Sequence, residues 1–341
     1  MIRETNLQVD TLGPPPTAPR VSIIICTRDR AEMLRRALEK LDAVESRHDW
    51  EALIADNGSL DHTAQVIAEA CARNPRFRSL HVAQPGLGAA RNAAWQAARG
   101  SIVSLTDDDC YVEPDFVDAV VDAFERYPQA GCIGGRILLY DPTDARITID
   151  ERDAEVSFEP YSFLNAGDLH GANFSFRRVA LAEAGGFDPE FGAGGRFKSA
   201  EDCEAVAAMV WRGWQARFDP APVVYHHHGR KQQHMKALTC TYDAGRGAFY
   251  AKFILRRDTR NTYLRGWWNV AIGVKDRREV ARLVRELRGA AGYLVAKRRF
   301  GFVLVGAPVA LAATVYAFVR IISPWGAVAK LAGAAQTTPL G

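Results

Sequence analysis

The feature that most constrains the fold is an alternation of short strand-like runs with helical stretches. Val21 to Thr27 (VSIIICT) has the pattern of a strand bounded by charged residues, and Ala31 to Val44 repeats Met33, Leu34, Ala37, Leu38 and Leu41 at helical spacing. The pair recurs as Trp50 to Ala55 with Ala64 to Ala72, Arg78 to Val82 with Ala89 to Ala98, and Ser101 to Leu105 with Asp115 to Arg126, before a strand from Ala130 to Leu139. Alternation of this length predicts right-handed crossovers and an α/β fold with a mostly parallel sheet flanked by helices. Such sheets bind ligands at the carboxyl ends of their strands. Polar residues collect there: Thr27, Arg28 and Asp29 after the first strand, Asp56 to Ser59 after the second, and Asp107, Asp108 and Asp109 after the fourth. Beyond Tyr140 the alternation lapses. A strand-like His170 to Phe176, a Gly-rich turn, a helix from Glu201 to Trp211 and a short strand from Pro222 to Tyr225 follow.

Three consecutive aspartates at a strand end need a cation, because ionised carboxylates are rarely buried unpaired and raise one another's pKa. A divalent metal held by one or two carboxylates and substrate phosphates meets that need. The competing reading is a helix N-cap cluster before Asp115, although capping takes one acid rather than three. Gly86 to Asn92 opens a helix with glycines and puts Arg91 one turn in, which suits a phosphate at a helix N-terminus. It precedes the third helix rather than following the first strand, which counts against a nicotinamide site. His226, His227 and His228 end a strand; alternation puts His226 and His228 on one face, and neutral imidazole suits Mn²⁺.

The order of these motifs, from Val21–Arg28 through Asp56–Ser59, Gly86–Asn92, Thr106–Asp109, Gly171–Asn173 and Gly185–Asp188 to Glu201–Asp202, resembles family 2 glycosyltransferases of the GT-A fold. The resemblance covers residues 20–228. It implies inverting transfer from a nucleotide-diphosphate sugar, usually a UDP-sugar, with Mn²⁺ or Mg²⁺. By the same resemblance Thr27, Arg28 and Asp56 hold base and ribose, Arg91 faces the diphosphate, and Asp107, Asp108 and Asp109 divide ribose and metal contacts. His226 joins the metal side, Gly171 and Asn173 line the acceptor pocket, and of the acidic pair Glu201–Asp202 the second residue is the general base. Val210 to Trp214 lacks the Gln-x-x-Arg-Trp motif of processive relatives, so a single addition is expected. The competing function is a non-catalytic nucleotide-binding or membrane-scaffold protein that keeps the fold.

Four segments are expected: a flexible lead-in at 1–19, the catalytic domain at 20–228, a basic amphipathic helical region at 229–299, and a hydrophobic membrane-associating segment with its tail at 300–341. Charge supports the division. Up to His228 there are 23 basic and 35 acidic residues; from Gly229 to Arg299 there are 18 and 5. A basic stretch carrying Trp267 and Trp268 suits an anionic lipid surface, and no nucleic-acid module is present to make nucleic acid the partner. Phe300 to Val319 is uncharged over twenty residues with Pro308 inside, which leaves a kinked span, a re-entrant pair and an interfacial helix open. The cations before it put the catalytic domain on the cytoplasmic face. The lead-in lacks the apolar core of a secretion signal. Six scattered cysteines without a CxxC pair read as a reducing environment. A glycan or lipid-linked acceptor in cell-surface polysaccharide or glycolipid synthesis is therefore expected.

Overall fold

The computed structural model describes residues 18–302. Its first half runs β1 (Val21–Thr27), α1 (Ala31–Asp42), β2 (Trp50–Asp56), α2 (Thr63–Arg73), β3 (Phe77–His81), α3 (Leu87–Ala97) and β4 (Ile102–Asp107). Here β1 pairs with β2 and β4, and β2 with β3, all in parallel. The chain continues through β5 (Cys110–Val112), α4 (Phe116–Arg126), β6 (Ala130–Leu139), β7 (Val156–Phe158), β8 (Asn173–Arg177), α5 (Arg178–Ala184), α6 (Glu201–Val210) and β9 (Gln215–His226). These strands extend the sheet into a mixed one of order β3-β2-β1-β4-β8-β6-β9-β5, with β7 beside β9. Strand β2 is buried along its whole length and β1 nearly so, as a sheet covered on both faces requires. Helix α1 turns Leu34, Leu38 and Leu41 inward on the stripe its spacing predicts.

Strand order reverses at β1, because the chain runs outward to β3 and then returns to β4 on the other side. The register sets Cys26 beside Asp107 and Thr27 beside Asp56. Three polar strand ends thus meet at the switch point where open α/β sheets bind ligands. Strand β9 is longer than the predicted Pro222–Tyr225. Its register against β6 jumps between the Gly134–Phe218 and Arg136–Val223 pairs, so the piece containing Pro220 leaves the ladder, where a missing N–H is tolerated.

The boundary expected at His228 is not a packing boundary. Helices α7 (Met235–Leu255), α8 (Arg260–Ile272) and α9 (Arg277–Ala296) follow, and Phe249, Tyr250, Phe253, Tyr263 and Tyr293 are buried in one cluster with Phe174, Phe176 and Phe187. Several cations of the basic stretch point inward rather than to a surface. Arg246 and Arg285 pair with Asp243, Arg246 also with Glu286, and Lys252 with Asp188 and Glu204. Helices α7 and α9 touch backbone to backbone: a Cβ on Gly247 would lie 1.7 Å from the Glu286 carbonyl oxygen, and one on Gly289 1.9 Å from that of Ala244. Gly289→Ala is expected to lower stability by about 1–3 kcal/mol by forcing the helices apart. The check is a lower urea midpoint at unchanged m-value.

Among the described residues no helix is long and apolar enough to cross a membrane. The apolar segment expected at 300–319 lies, beyond Phe302, outside the described residues, as does nearly all of the 1–19 lead-in. All six cysteines are free.

Candidate active site

A cavity of about 670 Å³ opens at the carboxyl ends of β1 and β4. The acidic triplet forms its floor, and Asp108 and Asp109 are buried there. Thr27 Oγ1 donates to Asp108 Oδ2 at 2.7 Å. Arg30, which the sequence did not single out, reaches Asp108 Oδ1 at 3.0 Å and Asp109 Oδ2 at 2.7 Å. Burial pushes the Asp108 carboxyl up to about 7, against the pull of Arg30. Burial would also raise Asp109, but the hydrogen bond and charge of His226, with Arg30, hold it well below the usual carboxylate range. Asp107 turns the other way, toward Arg91 at 3.3 Å.

Arg91 is a buried strut rather than a solvated cation. Its Nη1 lies 3.0 Å from Glu201 Oε1, its Nη2 donates to the Gly171 carbonyl at 3.2 Å, and its guanidinium covers the rings of Phe174 and Phe187. It therefore ties the end of β4 to the start of α6. Burial pushes Glu201 up to about 7 although Arg91 opposes it. Within the acidic pair, Glu201 belongs to Arg91 and Asp202 is the freer carboxylate.

Asp202 is aimed by two features. Lys198 and Ala200, just before α6, hold φ of +57° and +69°, left-handed values that cost non-glycine residues about 1–3 kcal/mol each and cluster at functional sites. The amide of Gly171 then donates to Asp202 Oδ2 at 2.8 Å, and that of Cys203 to Oδ1 at 2.7 Å. A Cβ on residue 171 would lie 3.0 Å from Arg91 Nη1 and 3.1 Å from Asp202 Cβ, so a glycine is what lets both side chains converge.

Residues 22–185 match the family model described as Glycosyl transferase family 2. Over that stretch the chain is similar to family 2 glycosyltransferases. Over 115 residues the chain is 31% identical to the chondroitin synthase of Escherichia coli, a match covering 34% of this chain and 17% of that one. Over 188 residues it is 24% identical to the glucosyl-dolichyl phosphate glucuronosyltransferase of Haloferax volcanii, covering 52% and 58%. The chain thus spans less than two thirds of either relative. The mannosyltransferase PcManGT of Pyrobaculum calidifontis, solved with GDP-Man and Mn²⁺, shares the fold at a TM-score of 0.57 and 20% identity, covering 92% of this chain and 90% of that one.

Within the cavity, the residues expected to bind a metal come together. Donor atoms of Asp107, Asp109, Cys110 and His226 lie within 4.8 Å of one another. Burial pushes the Cys110 thiol well above its ordinary value, so it stays protonated and leaves two carboxylates and an imidazole, a set that fits Mn²⁺ or Mg²⁺. His226 Nε2 sits 3.3 Å from Asp109 Oδ1, and its Nδ1 faces the Thr148 carbonyl at 3.4 Å. His228 shares that face, as alternation predicts, with ring centroids 4.9 Å apart. It is otherwise engaged: its Nδ1 accepts from the Arg230 amide and its Nε2 donates to the Ala145 carbonyl. Replacing Asp107 and Asp109 by Ala is expected to abolish metal-dependent nucleotide binding. Calorimetry giving wild type equal nucleotide affinity with and without Mn²⁺ would remove the metal assignment.

Other expected site residues fall differently. Arg28 lines the cavity but is half exposed beside Asp29. Asp56 does not line it; its Oδ1 accepts from the Ser59 amide. The neighbouring Asn57 does line it, and holds the Gly86 loop through the Gly86 amide and the Val82 and Gln84 carbonyls. Asn173, expected on the acceptor side, instead bridges the Arg136 and Pro222 carbonyls beneath the cavity at 2.8 and 3.0 Å. Gly171 lines it as expected. Sequence reasoning missed Arg30, His170, Tyr242 and Arg246, all of which line the cavity.

Proposed function

We propose that the chain is an inverting, metal-assisted glycosyltransferase. It adds one sugar from a nucleotide-diphosphate donor, a UDP-sugar by family habit, to a hydroxyl of a glycan or lipid-linked acceptor in cell-surface polysaccharide or glycolipid synthesis. The observation that carries this reading is Asp202, a carboxylate held by the Gly171 amide in the same cavity as Asp107 and Asp109. As the acceptor oxygen bonds to the anomeric carbon, its proton passes to Asp202. The bond from that carbon to the diphosphate oxygen breaks, and its electron pair leaves with the diphosphate. A bound Mn²⁺ or Mg²⁺ would neutralise the charge that accumulates on that leaving group. Asp107, Asp109 and His226 would hold it; Arg30 and Arg91 keep the carboxylates in place. The GDP-Man and Mn²⁺ of the structural neighbour support a nucleotide-sugar donor. The test is a panel of UDP- and GDP-sugars, followed by donor hydrolysis and by transfer. Turnover of one donor is expected, and no turnover of any would overturn the reading.

We further propose attachment to the cytoplasmic face of a membrane. Leu264 and Trp268 on α8 and Val295 on α9 are exposed apolar side chains within the basic stretch, and the exposed Phe300 and Phe302 follow it. Such a mixture suits an anionic interface. Removal of residues 300–341 is expected to lower co-flotation with phosphatidylglycerol vesicles. Full-length protein that fails to float at low salt would exclude the attachment.

A further inference from the structure

The donor-side lining of the cavity comes from the ends of β1, β2 and β4, but another part comes from α7: Thr239, Tyr242, Asp243 and Arg246. Their spacing is i, i+3, i+4, i+7, so they form one helix face. That face is braced from behind. Arg246 Nη1 lies between Asp243 Oδ1 at 3.1 Å and Glu286 Oε1 at 3.0 Å. Glu286, buried in α9, also accepts from Trp267 Nε1 at 2.9 Å, and Arg285 holds Asp243 at 2.7 Å. The contacts at Gly247 and Gly289 fix the distance between the two helices. The Nε of Arg246 is buried without a partner.

The chemistry of this face is a hydroxyl, a phenol, a carboxylate and a guanidinium, with no aliphatic side chain. Charged, forked hydrogen-bonding groups beside an aromatic ring suit the hydroxyls and the C–H face of a sugar. A polyprenyl chain would need an apolar groove, and α7 directs Phe249 and Phe253 into the core instead. Asp202 and His170 line the same cavity as this face, so the base and the α7 side chains open onto one space.

We propose that this face of α7 is the acceptor subsite, that it takes a neutral sugar ring bearing the attacking hydroxyl, and that Glu286 is a positioning residue that presents Arg246 to that ring. The inference rests on the sugar-transfer reading above. The experiment uses the full chain with the donor found active in the panel. Methyl glycosides of common hexoses and N-acetylhexosamines are offered as acceptors, and a short-chain polyprenyl phosphate is the alternative. Transfer to at least one glycoside is expected. Arg246→Gln and Glu286→Gln should each raise the acceptor KM about tenfold or more, the loss expected for a hydrogen bond to a charged group, with a smaller change in kcat. Affinity for UDP or GDP, measured by calorimetry without acceptor, should stay within about twofold. Tyr242→Phe, which keeps the ring, should raise the acceptor KM less than Tyr242→Ala, and serves if the charge variants fail to fold. Donor hydrolysis with transfer only to the polyprenyl phosphate, or acceptor KM unmoved in these variants, would overturn the inference and leave the sugar-transfer reading standing. No hydrolysis of any donor would remove both.

Discussion

Asp202→Asn is expected to lower sugar transfer about 10²–10⁴-fold, the loss typical of a general base, while nucleotide affinity survives. The amide keeps one of the two oxygens, so it can accept from either the Gly171 or the Cys203 N–H but not from both; proton acceptance is lost together with one of the two hydrogen bonds that aim the side chain. Transfer rates at saturating donor, set beside calorimetric affinity for the nucleotide, separate the two. An unchanged rate would take Asp202 out of the mechanism. The companion variant Glu201→Gln should behave differently, because Glu201 bridges to Arg91 and its loss acts through that strut.

The largest structural effect is expected at Arg91. Arg91→Leu leaves Glu201 buried without its cation, frees Asp107, and removes the donor that holds the Gly171 carbonyl. Breaking a buried pair by deleting one partner costs about 3–5 kcal/mol, chiefly because the other charge stays behind. Urea unfolding should register that loss. The double variant Arg91→Leu, Glu201→Leu should recover part of it, since replacing both charges by apolar groups is often neutral or better. A single variant as stable as wild type would mean that the strut holds nothing in place.

Much of this was legible in the sequence, for reasons that can be named. Strands β1, β2 and β4 are short, largely apolar runs ending in polar residues, and the helices between them carry apolar residues at helical spacing, so fold and triplet could be read from local pattern. What escaped was set by distance or by backbone direction. Arg30 stands two residues from Arg28, but only the left-handed turn at Asp29, with φ of +52°, makes Arg30 the one that faces the triplet. Asp56 and Asn57 are neighbours at a strand end, and the turn at Gly58, with φ of +76°, brings the Ser59 amide back onto Asp56 while Asn57 lines the cavity. The basic stretch read as a surface because Arg246 and Glu286 stand forty residues apart, and no local pattern announces that they pair. Asn173 followed a family motif, yet its amide ties β6 to β9 rather than meeting a ligand.

The cavity at the reversal of strand order straddles the end of the stretch that matches the family model. The cavity residues between Thr27 and Asp109 fall inside the stretch that matches the family model, 22–185; Asp202, Tyr242 and Arg246 fall outside it. On the proposed reading, the matched stretch is the part that holds the activated sugar. On the same proposal the recipient is met by α6 and α7, and because Phe249, Tyr250 and Phe253 share a core with Phe174, Phe176 and Phe187, a graft of α6 to α9 from a relative would have to bring matching partners for those rings.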